Sequence, residues 1–327
     1  MNLSLDLICR AQHRLRGLVH RTPLVHSATV SAHLGAPTYL KLECLQKTGS
    51  FKPRGAFHRM LEMSAEERKR GVVAVSGGNH AQGVAYAAKQ LGIAATICMP
   101  ASTPRNYVDA TRGYGADIVL CPDIKGAFAE TARLQQEGRV MVHPFDDAFV
   151  AAGQGTVGLE ILEDLPGATR IYVSIGGGGF IGGIATAIRT IKPEAKIIGV
   201  ETRGADAMSL SLAAGKLVEL PAITSIARTL GAPKVSEFTY RLVRELVEEV
   251  VVVEDAAAAR ALFFLLERTK HLTEPAAACC LAAAEVQRAK FTSHDQIVIV
   301  LCGGNVSTDD LTEFHKRFAV SVAPGPS

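Results

Sequence analysis

Short runs of apolar residues alternate with amphipathic stretches along most of the chain. GVVAVSGG (71–78) predicts a buried strand that ends in glycines, and NHAQGVAYAAKQLG (79–92) predicts a helix that Gly92 terminates. Further strand–helix units follow as far as RVMVHPF (139–145). Strands joined by helices in this way need right-handed crossovers, so the pattern predicts an α/β fold with a parallel sheet.

The second half of the chain repeats this pattern. RIYVSI (170–175) predicts a strand, a glycine loop and a helix follow at 176–191, and KIIGVE (196–201) predicts the next strand. QIVIVLCGGN (296–305) predicts the last core strand, and the Gly/Pro-rich end APGPS (323–327) predicts a frayed terminus. The remaining predictions are strands at 93–100, 116–122 and 139–145 and helices at 105–115, 125–138, 255–270 and 275–290.

Composition narrows the class of protein. The chain has 327 residues, of which 48% are hydrophobic and 20% charged, so it can bury a large core and its length suits two domains. The net charge of +3 gives no reason to expect a nucleic-acid or membrane partner. The start, MNLSLDLICR, carries no secretory signal, and no run of about 18 apolar residues predicts a membrane span. Seven cysteines without a C-x-x-C pair suit a reducing environment, so we expect a cytoplasmic protein.

Four consecutive glycines separate a predicted strand from a predicted helix: Gly176, Gly177, Gly178 and Gly179. Glycine lets successive backbone N–H groups turn toward one point, and the helix N-terminus adds positive potential. The loop therefore favours a phosphate cradle, with a tight strand-to-helix turn as the alternative. It is not a P-loop because no Gly-Lys-Ser/Thr follows, and Ile181 breaks the dinucleotide fingerprint G-x-G-x-x-G.

Lys52 stands between an aromatic ring and a proline in KTGSFKPRG (47–55). A lysine in apolar surroundings loses solvation of its ammonium, which lowers its pKa and favours a neutral amine that can form a Schiff base. The residues alone leave open whether Lys52 is such a nucleophile or only buries its aliphatic stem.

Two further glycine turns carry polar side chains at the ends of predicted strands. SGGNHAQG (76–83) begins a helix whose free N–H groups suit a carboxylate, with Asn79 and His80 at its start, unless Asn79 is an ordinary N-cap. LCGGN (301–305) places Cys302 at the carboxyl edge of the sheet, where it is either a site residue or a buried structural cysteine.

In this order, SFKPRG (50–55), SGGNHAQG, the four glycines and LCGGN resemble the motifs of pyridoxal-phosphate enzymes of fold type II, the tryptophan synthase β-subunit-like group. Within that group the chain resembles the serine/threonine dehydratase and serine racemase family, from RTPLVHSATVS (21–31) onward. The resemblance implies two parallel-sheet domains. The large cofactor-binding domain would comprise 1–54 and 148–327, and the small domain 55–147, with the cofactor in the cleft between them.

The resemblance also implies which residues hold the cofactor, pyridoxal 5'-phosphate. Lys52 would carry it as a Schiff base, with Phe51 beside the ring and Asn79 bonded to its phenolic oxygen. The phosphate would be bound by Gly176, Gly177, Gly178, Gly179 and Phe180. Cys302 falls where the family places a small polar residue beside the pyridine nitrogen. A thiol does not keep that nitrogen protonated as an acid would, so we expect chemistry that favours β-elimination.

Substrate binding and turnover follow from the same resemblance. Ser76, Asn79 and His80 would be the substrate-binding residues, lining the loop that grips the carboxylate of an L-3-hydroxyamino acid of the threonine or serine type. Lys52, released by the substrate amine, would remove the Cα proton, and the β-hydroxyl would leave as water. A 2-keto acid and ammonia would result, so the predicted enzyme is a dehydratase, that is, an ammonia-lyase.

Serine racemisation is the main alternative. Serine racemases of this family carry a serine where Gly77 stands, as a second acid/base on the opposite face of Cα. Gly77 has no proton to give, and Phe145 in HPFDD (143–147) is more typical of dehydratases, so dehydration is preferred.

Other activities stay open at this point. A lyase acting on 3-hydroxyaspartate or phenylserine would share every motif, and Arg203 is a candidate to bind a distal carboxylate. A β-replacement enzyme would carry a loop of T-S-G-N-T type instead of SGGNHAQG. A non-catalytic binding protein of this fold would need no amine at Lys52.

Some family members bind a divalent cation beside the strand that ends in GVE. Glu201 matches one ligand and Ala205 could supply a carbonyl, but Ala207 replaces the second carboxylate, with Asp206 next to it. The cation therefore stays open.

The positions of a nucleotide effector in racemases correspond to Lys47, Thr48, Gln82 and Tyr114, but Lys47 and Thr48 belong to the catalytic motif, so no ATP site is predicted. The resemblance further implies a homodimer. No regulatory domain is expected after LCGGN.

Overall fold

The computed structural model describes residues 2–319, and the predicted frayed end at 323–327 lies outside the described residues. The described helices are α1 Leu5–Leu15, α2 Ala28–Leu34, α3 Lys52–Leu61, α4 Ala65–Arg70, α5 Asn79–Leu91, α6 Arg105–Gly113, α7 Ile124–Gln136, α8 Ala148–Asp164, α9 Gly179–Ile191, α10 Ala207–Ala214, α11 Glu237–Leu246, α12 Asp255–Phe264, α13 Pro275–Val286 and α14 Thr308–Phe318. The described strands are β1 Leu24–His26, β2 Thr38–Lys41, β3 Val72–Val75, β4 Ala95–Pro100, β5 Asp117–Cys121, β6 Val140–Met141, β7 Arg170–Ser174, β8 Lys196–Thr202, β9 Glu249–Val253 and β10 Ile297–Val300. Short 3₁₀ turns lie at Glu43–Leu45, Lys47–Gly49, Arg228–Leu230 and Arg288–Lys290.

The strands form two sheets. A six-stranded sheet has the order β1-β2-β10-β7-β8-β9, and a four-stranded sheet has the order β5-β4-β3-β6. All neighbouring strands run parallel except β1, which pairs antiparallel with β2. The predicted α/β architecture with two parallel sheets is confirmed, and the antiparallel edge strand is an addition that the sequence pattern did not indicate.

Two predicted elements differ in extent from those observed. The strand expected at 139–145 is paired only over Val140–Met141, because the chain then turns: Nδ1 of His143 accepts a hydrogen bond from the Asp146 N–H (2.8 Å), and Pro144 has no N–H to offer a neighbouring strand. The helix expected at 255–270 is α-helical only to Phe264 and ends in a turn of π-helix, Leu265–Thr269.

The two sheets have separate hydrophobic cores. The larger core packs the central strands β7, β8 and β10 against α9 and α13, and residues 275–284 of α13 are all buried. The smaller core joins β3 and β4 to α3 and α5, with Val150 of α8 among its members. The predicted boundary between 54 and 55 therefore falls inside α3, and the division at 54/55 and 147/148 stays a prediction. No helix within residues 2–319 is long and apolar enough to cross a membrane.

Candidate active site

The predicted site segments line one connected space. A cavity of about 810 Å³ is bordered by Val75 and Pro100 of the four-stranded sheet and by loops such as those that carry Gly177 and Asn305, which follow strands of the six-stranded sheet. A recess of about 50 Å³ shares several of its walls. The walls common to both are Lys52, Asn79, Pro144, Phe145, Gly177, Thr229 and Glu274. The recess adds Phe51, Ser174, the other three loop glycines, Phe180 and Cys302. The structure thus brings the sequence-predicted cofactor residues together.

Lys52 is the first residue of α3, a helix start that Pro53 favours because its missing N–H needs no partner there. Its Nζ donates a hydrogen bond to the Pro144 carbonyl (3.1 Å) and lies 5.0 Å from the centroid of the Phe51 ring. The residue opens onto the cavity, yet protein surrounds the amine, and this burial lowers the pKa of Lys52 to about 8. The amine is therefore partly neutral near pH 8, as a nucleophile or base requires.

Helix α5 approaches Lys52 closely because Gly83 has no side chain. A Cβ at Gly83 would lie 2.9 Å from the Lys52 Cβ, too near for any other residue. Gly83 stands in the motif SGGNHAQG, so the motif fixes the packing of α5 beside the reactive amine as well as the turn before it.

The four-glycine loop forms a cradle at the start of α9. Gly178 has φ +91°, and a Cβ at Gly177 would lie 2.0 Å from the Phe145 ring, so side chains are excluded at both positions. The first N–H groups of a helix have no partner inside the helix and point out of its N-terminus. The rings of Phe51 and Phe180 stack at a centroid distance of 3.8 Å beside this loop. The loop and its surroundings fit a ligand that carries a phosphate.

Asn79 begins α5, but it is not the N-cap, a position that Gly78 occupies. Its Nδ2 donates to Oε1 of Glu274 (2.8 Å), and its Oδ1 accepts from Nδ2 of Asn305 (2.8 Å). These two bonds fix which way the amide faces at the wall of the recess. The alternative that Asn79 is an ordinary N-cap is therefore not what the structure shows.

Glu274 is a buried site residue that the sequence did not reveal. Its Oε1 also accepts from Oγ1 of Thr229 (2.8 Å), and its Oε2 is buried with no hydrogen-bond partner among residues 2–319. Burial raises the pKa of Glu274 to about 7, against the hydrogen bonds from Thr229 and Asn79, which lower it. In the sequence, Glu274 precedes Pro275 at the start of α13, where an acidic residue is ordinary. Its sequence position therefore gave no reason to single it out as a site residue.

His80 and Ser76 line the larger cavity, and both side chains make hydrogen bonds within the protein. Burial, with Lys52 nearby, lowers the pKa of His80 well below its usual value, so the ring is neutral. Its Nε2 bonds the Val142 carbonyl (2.8 Å) and must donate, which leaves the buried Nδ1 as an acceptor that cannot bind a carboxylate. Oγ of Ser76 accepts from the Gly78 N–H (3.1 Å). Carboxylate binding here would thus use the backbone N–H groups of the loop.

Cys302 is held at the floor of the recess. Its Sγ accepts a hydrogen bond from Oγ of Ser174 (3.4 Å) and contacts the Ala276 carbonyl (3.6 Å) as a donor. Burial raises the pKa of Cys302 well above that of a free thiol, so the group is a neutral thiol near neutral pH. Phe51 is tied to the same point, since its N–H bonds the Cys302 carbonyl (3.1 Å).

The residues named for a cation lie elsewhere. The carboxylate of Glu201 is buried and accepts the N–H groups of Met208 (3.0 Å) and Ser209 (2.8 Å) at the start of α10. No group of three His, Cys, Asp or Glu side chains suited to a metal occurs within residues 2–319. Ala205 is buried nearby, and Arg203 pairs with Asp206 (3.3 Å) and does not border the cavity. The structure gives no support to Arg203 as a reader of the substrate.

Residues 15–303 match the family described as pyridoxal-phosphate dependent enzyme. The chain belongs to this family, so pyridoxal phosphate is its cofactor, and the Lys52 amine and the glycine cradle fit that group.

The chain is 46% identical over 322 residues to the L-threonine ammonia-lyase of Geobacter sulfurreducens, covering 98% of this chain and 80% of that protein. It is 36% identical over 316 residues to the catabolic L-threonine dehydratase TdcB of Escherichia coli K12, covering 95% of each. The solved structure of maize serine racemase matches it with a TM-score of 0.91 at 38% identity, covering 98% of each chain. The predicted family resemblance is confirmed, and both reaction types occur among the relatives.

Proposed function

We propose that this protein is an ammonia-lyase that eliminates water from an L-3-hydroxyamino acid of the threonine or serine type, giving a 2-keto acid and ammonia. The observation that carries the proposal is the Lys52 amine, whose pKa burial lowers to about 8 and which stands between a phosphate cradle and an open cavity. The relatives named L-threonine ammonia-lyase and L-threonine dehydratase support the same reaction.

Proton transfer at Cα is the step that the chain itself performs. The bound cofactor supplies the electron sink that makes the Cα proton acidic. Lys52 then accepts that proton, because an amine with a pKa of about 8 has a substantial neutral fraction at neutral to mildly alkaline pH. The Pro144 carbonyl, 3.1 Å from Nζ, orients the amine without neutralising it. The β-hydroxyl leaves as water, and the proton removed from Cα balances the one that the hydroxyl takes up.

The other site residues would position the cofactor and the substrate. Asn79, held by Glu274 and Asn305, presents a fixed amide at the recess wall, and Phe51 and Phe180 form its stacked apolar side. The neutral thiol of Cys302, whose S–H faces the Ala276 carbonyl, adds no charge to the recess. The free N–H groups at the start of α5 offer a site for the substrate carboxylate.

Racemisation is a second candidate, and one observation favours it. Gly77 carries no acid, but a Cβ there would lie 2.6 Å from Oγ1 of Thr103, so a hydroxyl occupies the space where the racemase serine would project. Thr103 lines the same cavity as Lys52. The likeness to maize serine racemase points the same way.

The quaternary structure and location are proposed on resemblance. We propose a cytoplasmic homodimer, with the substrate bound between a large domain of 1–54 and 148–327 and a small domain of 55–147. Sedimentation of the holoenzyme tests the dimer, and limited proteolysis near 55 and 147 tests the boundaries.

A panel of L-3-hydroxyamino acids tests the function. We expect 2-keto acid and ammonia in equal amounts from L-threonine or L-serine with the holoenzyme, and none with Lys52→Ala. Chiral analysis of residual L-serine distinguishes the second candidate, since D-serine formed without keto acid would replace elimination by racemisation. Thr103→Val should then abolish D-serine formation, whereas in a dehydratase it leaves the rate of keto acid release within about threefold.

A further inference from the structure

The cavity above Lys52 is larger than threonine or serine needs. Its volume of about 810 Å³ lies within the range of pockets that hold drug-sized ligands, roughly 300–1,000 Å³. Charged side chains of both signs line this cavity, among them Arg228, Lys234, Glu219 and Asp310.

The contacts of the residues next to Arg228 hold its backbone beside the recess. It begins the 3₁₀ turn Arg228–Leu230, in which Oγ1 of Thr229 bonds Glu274 (2.8 Å) and the backbone of Leu230 lies 3.2 Å from where a Cβ of Gly176 would be. Thr229 lines the recess, and because adjacent Cα atoms are about 3.8 Å apart, the backbone of Arg228 lies next to the recess. Its side chain lines the cavity and is 56% exposed.

The guanidinium of Arg228 has donors to spare. Its nearest acidic partner is Oδ1 of Asp310 at 3.5 Å, beyond good hydrogen-bond range, and no hydrogen bond from the guanidinium is formed within residues 2–319. Asp310 is engaged elsewhere, because its Oδ2 accepts from Oγ of Ser307 (2.8 Å) at the start of α14. A planar group with five N–H donors and one loose contact suits a second carboxylate.

We propose that Arg228 binds a distal carboxylate on the β-carbon side of the substrate, which makes the preferred substrates L-3-hydroxy dicarboxylic amino acids such as 3-hydroxyaspartate. This inference rests on the proposed function and specifies its substrate class. The reaction balances as before. The Cα–H and Cβ–O bonds break, water leaves, and hydrolysis of the released enamine gives a 2-oxo dicarboxylic acid and ammonia with no redox partner.

An apolar side of the same cavity favours a different substrate, one with an aromatic group on Cβ. Ile124 and Phe128 of α7 line it and are 42% and 44% exposed. They would suit an aromatic β-substituent, as in phenylserine. Arg228 is favoured because a bidentate guanidinium–carboxylate contact discriminates in both geometry and charge, whereas apolar contact discriminates weakly.

The test compares wild type, Arg228→Ala, Arg228→Lys and the control Arg203→Ala, whose arginine pairs outside the cavity. With each holoenzyme, 2-keto acid release is measured from both 3-hydroxyaspartate diastereomers of L configuration, L-threonine, L-serine and L-phenylserine. Inhibition of threonine turnover by L-aspartate is compared with inhibition by L-asparagine, which is nearly isosteric but uncharged. Thermal stabilisation by the same two amino acids gives a readout that does not need turnover.

We expect kcat/KM for one 3-hydroxyaspartate to exceed that for threonine, and to fall about 10- to 100-fold in Arg228→Ala with threonine turnover within about threefold. Arg228→Lys should recover part of the loss, and Arg203→Ala should behave as wild type. The preference for aspartate over asparagine should disappear in Arg228→Ala.

An unchanged aspartate preference in Arg228→Ala, or phenylserine as the best substrate, would overturn the inference. Absence of keto acid from every member would instead refute the proposed function, and the thermal comparison would still decide whether Arg228 binds a carboxylate.

Discussion

Two groups of buried charge lie side by side in this molecule and behave in opposite ways. The ion-pair cluster consists of Lys41, Glu43, Arg54 and Glu160. Arg54 donates to both oxygens of Glu43 (2.8 Å each) and to Glu160 (2.6 Å). Lys41 donates to the other Glu160 oxygen (2.5 Å) and to a backbone carbonyl. Burial opposes ionisation of Glu43, but Arg54 holds the pKa of that carboxyl below its usual value.

The second group, called here the reactive pair, consists of Lys52 and Glu274. Lys52 precedes Arg54 by two residues in α3, and Glu274 lines the same cavity as Lys52. Lys52 has only a carbonyl as hydrogen-bond partner, and one oxygen of Glu274 has none within the described chain. Their pKa values move toward neutrality, to about 8 and about 7. Burial alone therefore does not make a group reactive. A buried group becomes reactive when it also lacks an oppositely charged partner, because its charged form then loses solvation by water without compensation, and its pKa moves toward neutrality.

The largest expected effect comes from Lys52→Met, which keeps the stem and removes the amine. We expect 2-keto acid release to fall more than about 1,000-fold, since both cofactor attachment and proton transfer are lost. The variant should be at least as stable at pH 7 as wild type from which the cofactor has been removed. The folded-state pKa of about 8 is below the 10.5 of a free lysine, so wild-type stability is reduced below pH 8 and recovers toward pH 10.5. Thermal melting from pH 7 to pH 10 measures this. A large loss of stability in the variant would contradict it.

Arg54→Ala should have the opposite result to Lys52→Met, with a large loss of stability. Removing Arg54 leaves the buried carboxylate of Glu43 without its guanidinium partner and leaves Glu160 with Lys41 alone, at a cost of about 3–5 kcal/mol in the free energy of unfolding. Denaturant titration measures the loss. Lys69→Ala, which breaks the exposed pair with Glu66, is the control and should change little. A mild effect of Arg54→Ala would mean that water enters the cluster and satisfies it.

Glu274→Gln should lower kcat about 10-fold, because a neutral amide accepts more weakly from Asn79 and Thr229 and holds the Asn79 amide less firmly. The folded-state pKa of about 7 exceeds the 4.5 of a free glutamate, so the wild type loses stability as pH rises from 4.5 through 7, and the variant should not. Melting of the cofactor-free proteins at pH 5 and pH 8 tests this. A parallel pH dependence in both proteins would remove Glu274 as the cause.

Local patterns were enough to predict the strand–helix alternation and a parallel sheet, whereas the resemblance to fold type II enzymes implied the second sheet and the meeting of the four motifs in one cleft. Lys52 and the four glycines were singled out by their sequence neighbours, and the resemblance implied their roles. Glu274 was missed because its partner Asn79 lies 195 positions away, and a lone glutamate before a proline looks like an ordinary helix start. The ring of His80 illustrates what a motif leaves undetermined. A motif names a residue, but only the Val142 carbonyl decides which nitrogen can donate.

The smallest effect is expected at Glu201, a buried carboxylate that accepts hydrogen bonds from two backbone N–H groups. Burial raises the pKa of Glu201 to about 8, with those two bonds offsetting only part of the shift. Stability should therefore fall as pH rises from 4.5 through 8 in wild type and less so in Glu201→Gln, with keto acid release unchanged. We expect Mg²⁺ and Ca²⁺ to leave the melting temperature unaltered, since the neighbouring Asp206 already accepts from Arg203 and the Gly204 N–H. A rise in melting temperature with either ion that Glu201→Gln abolishes would show a cation site at this carboxylate, with Ala205 as its carbonyl ligand.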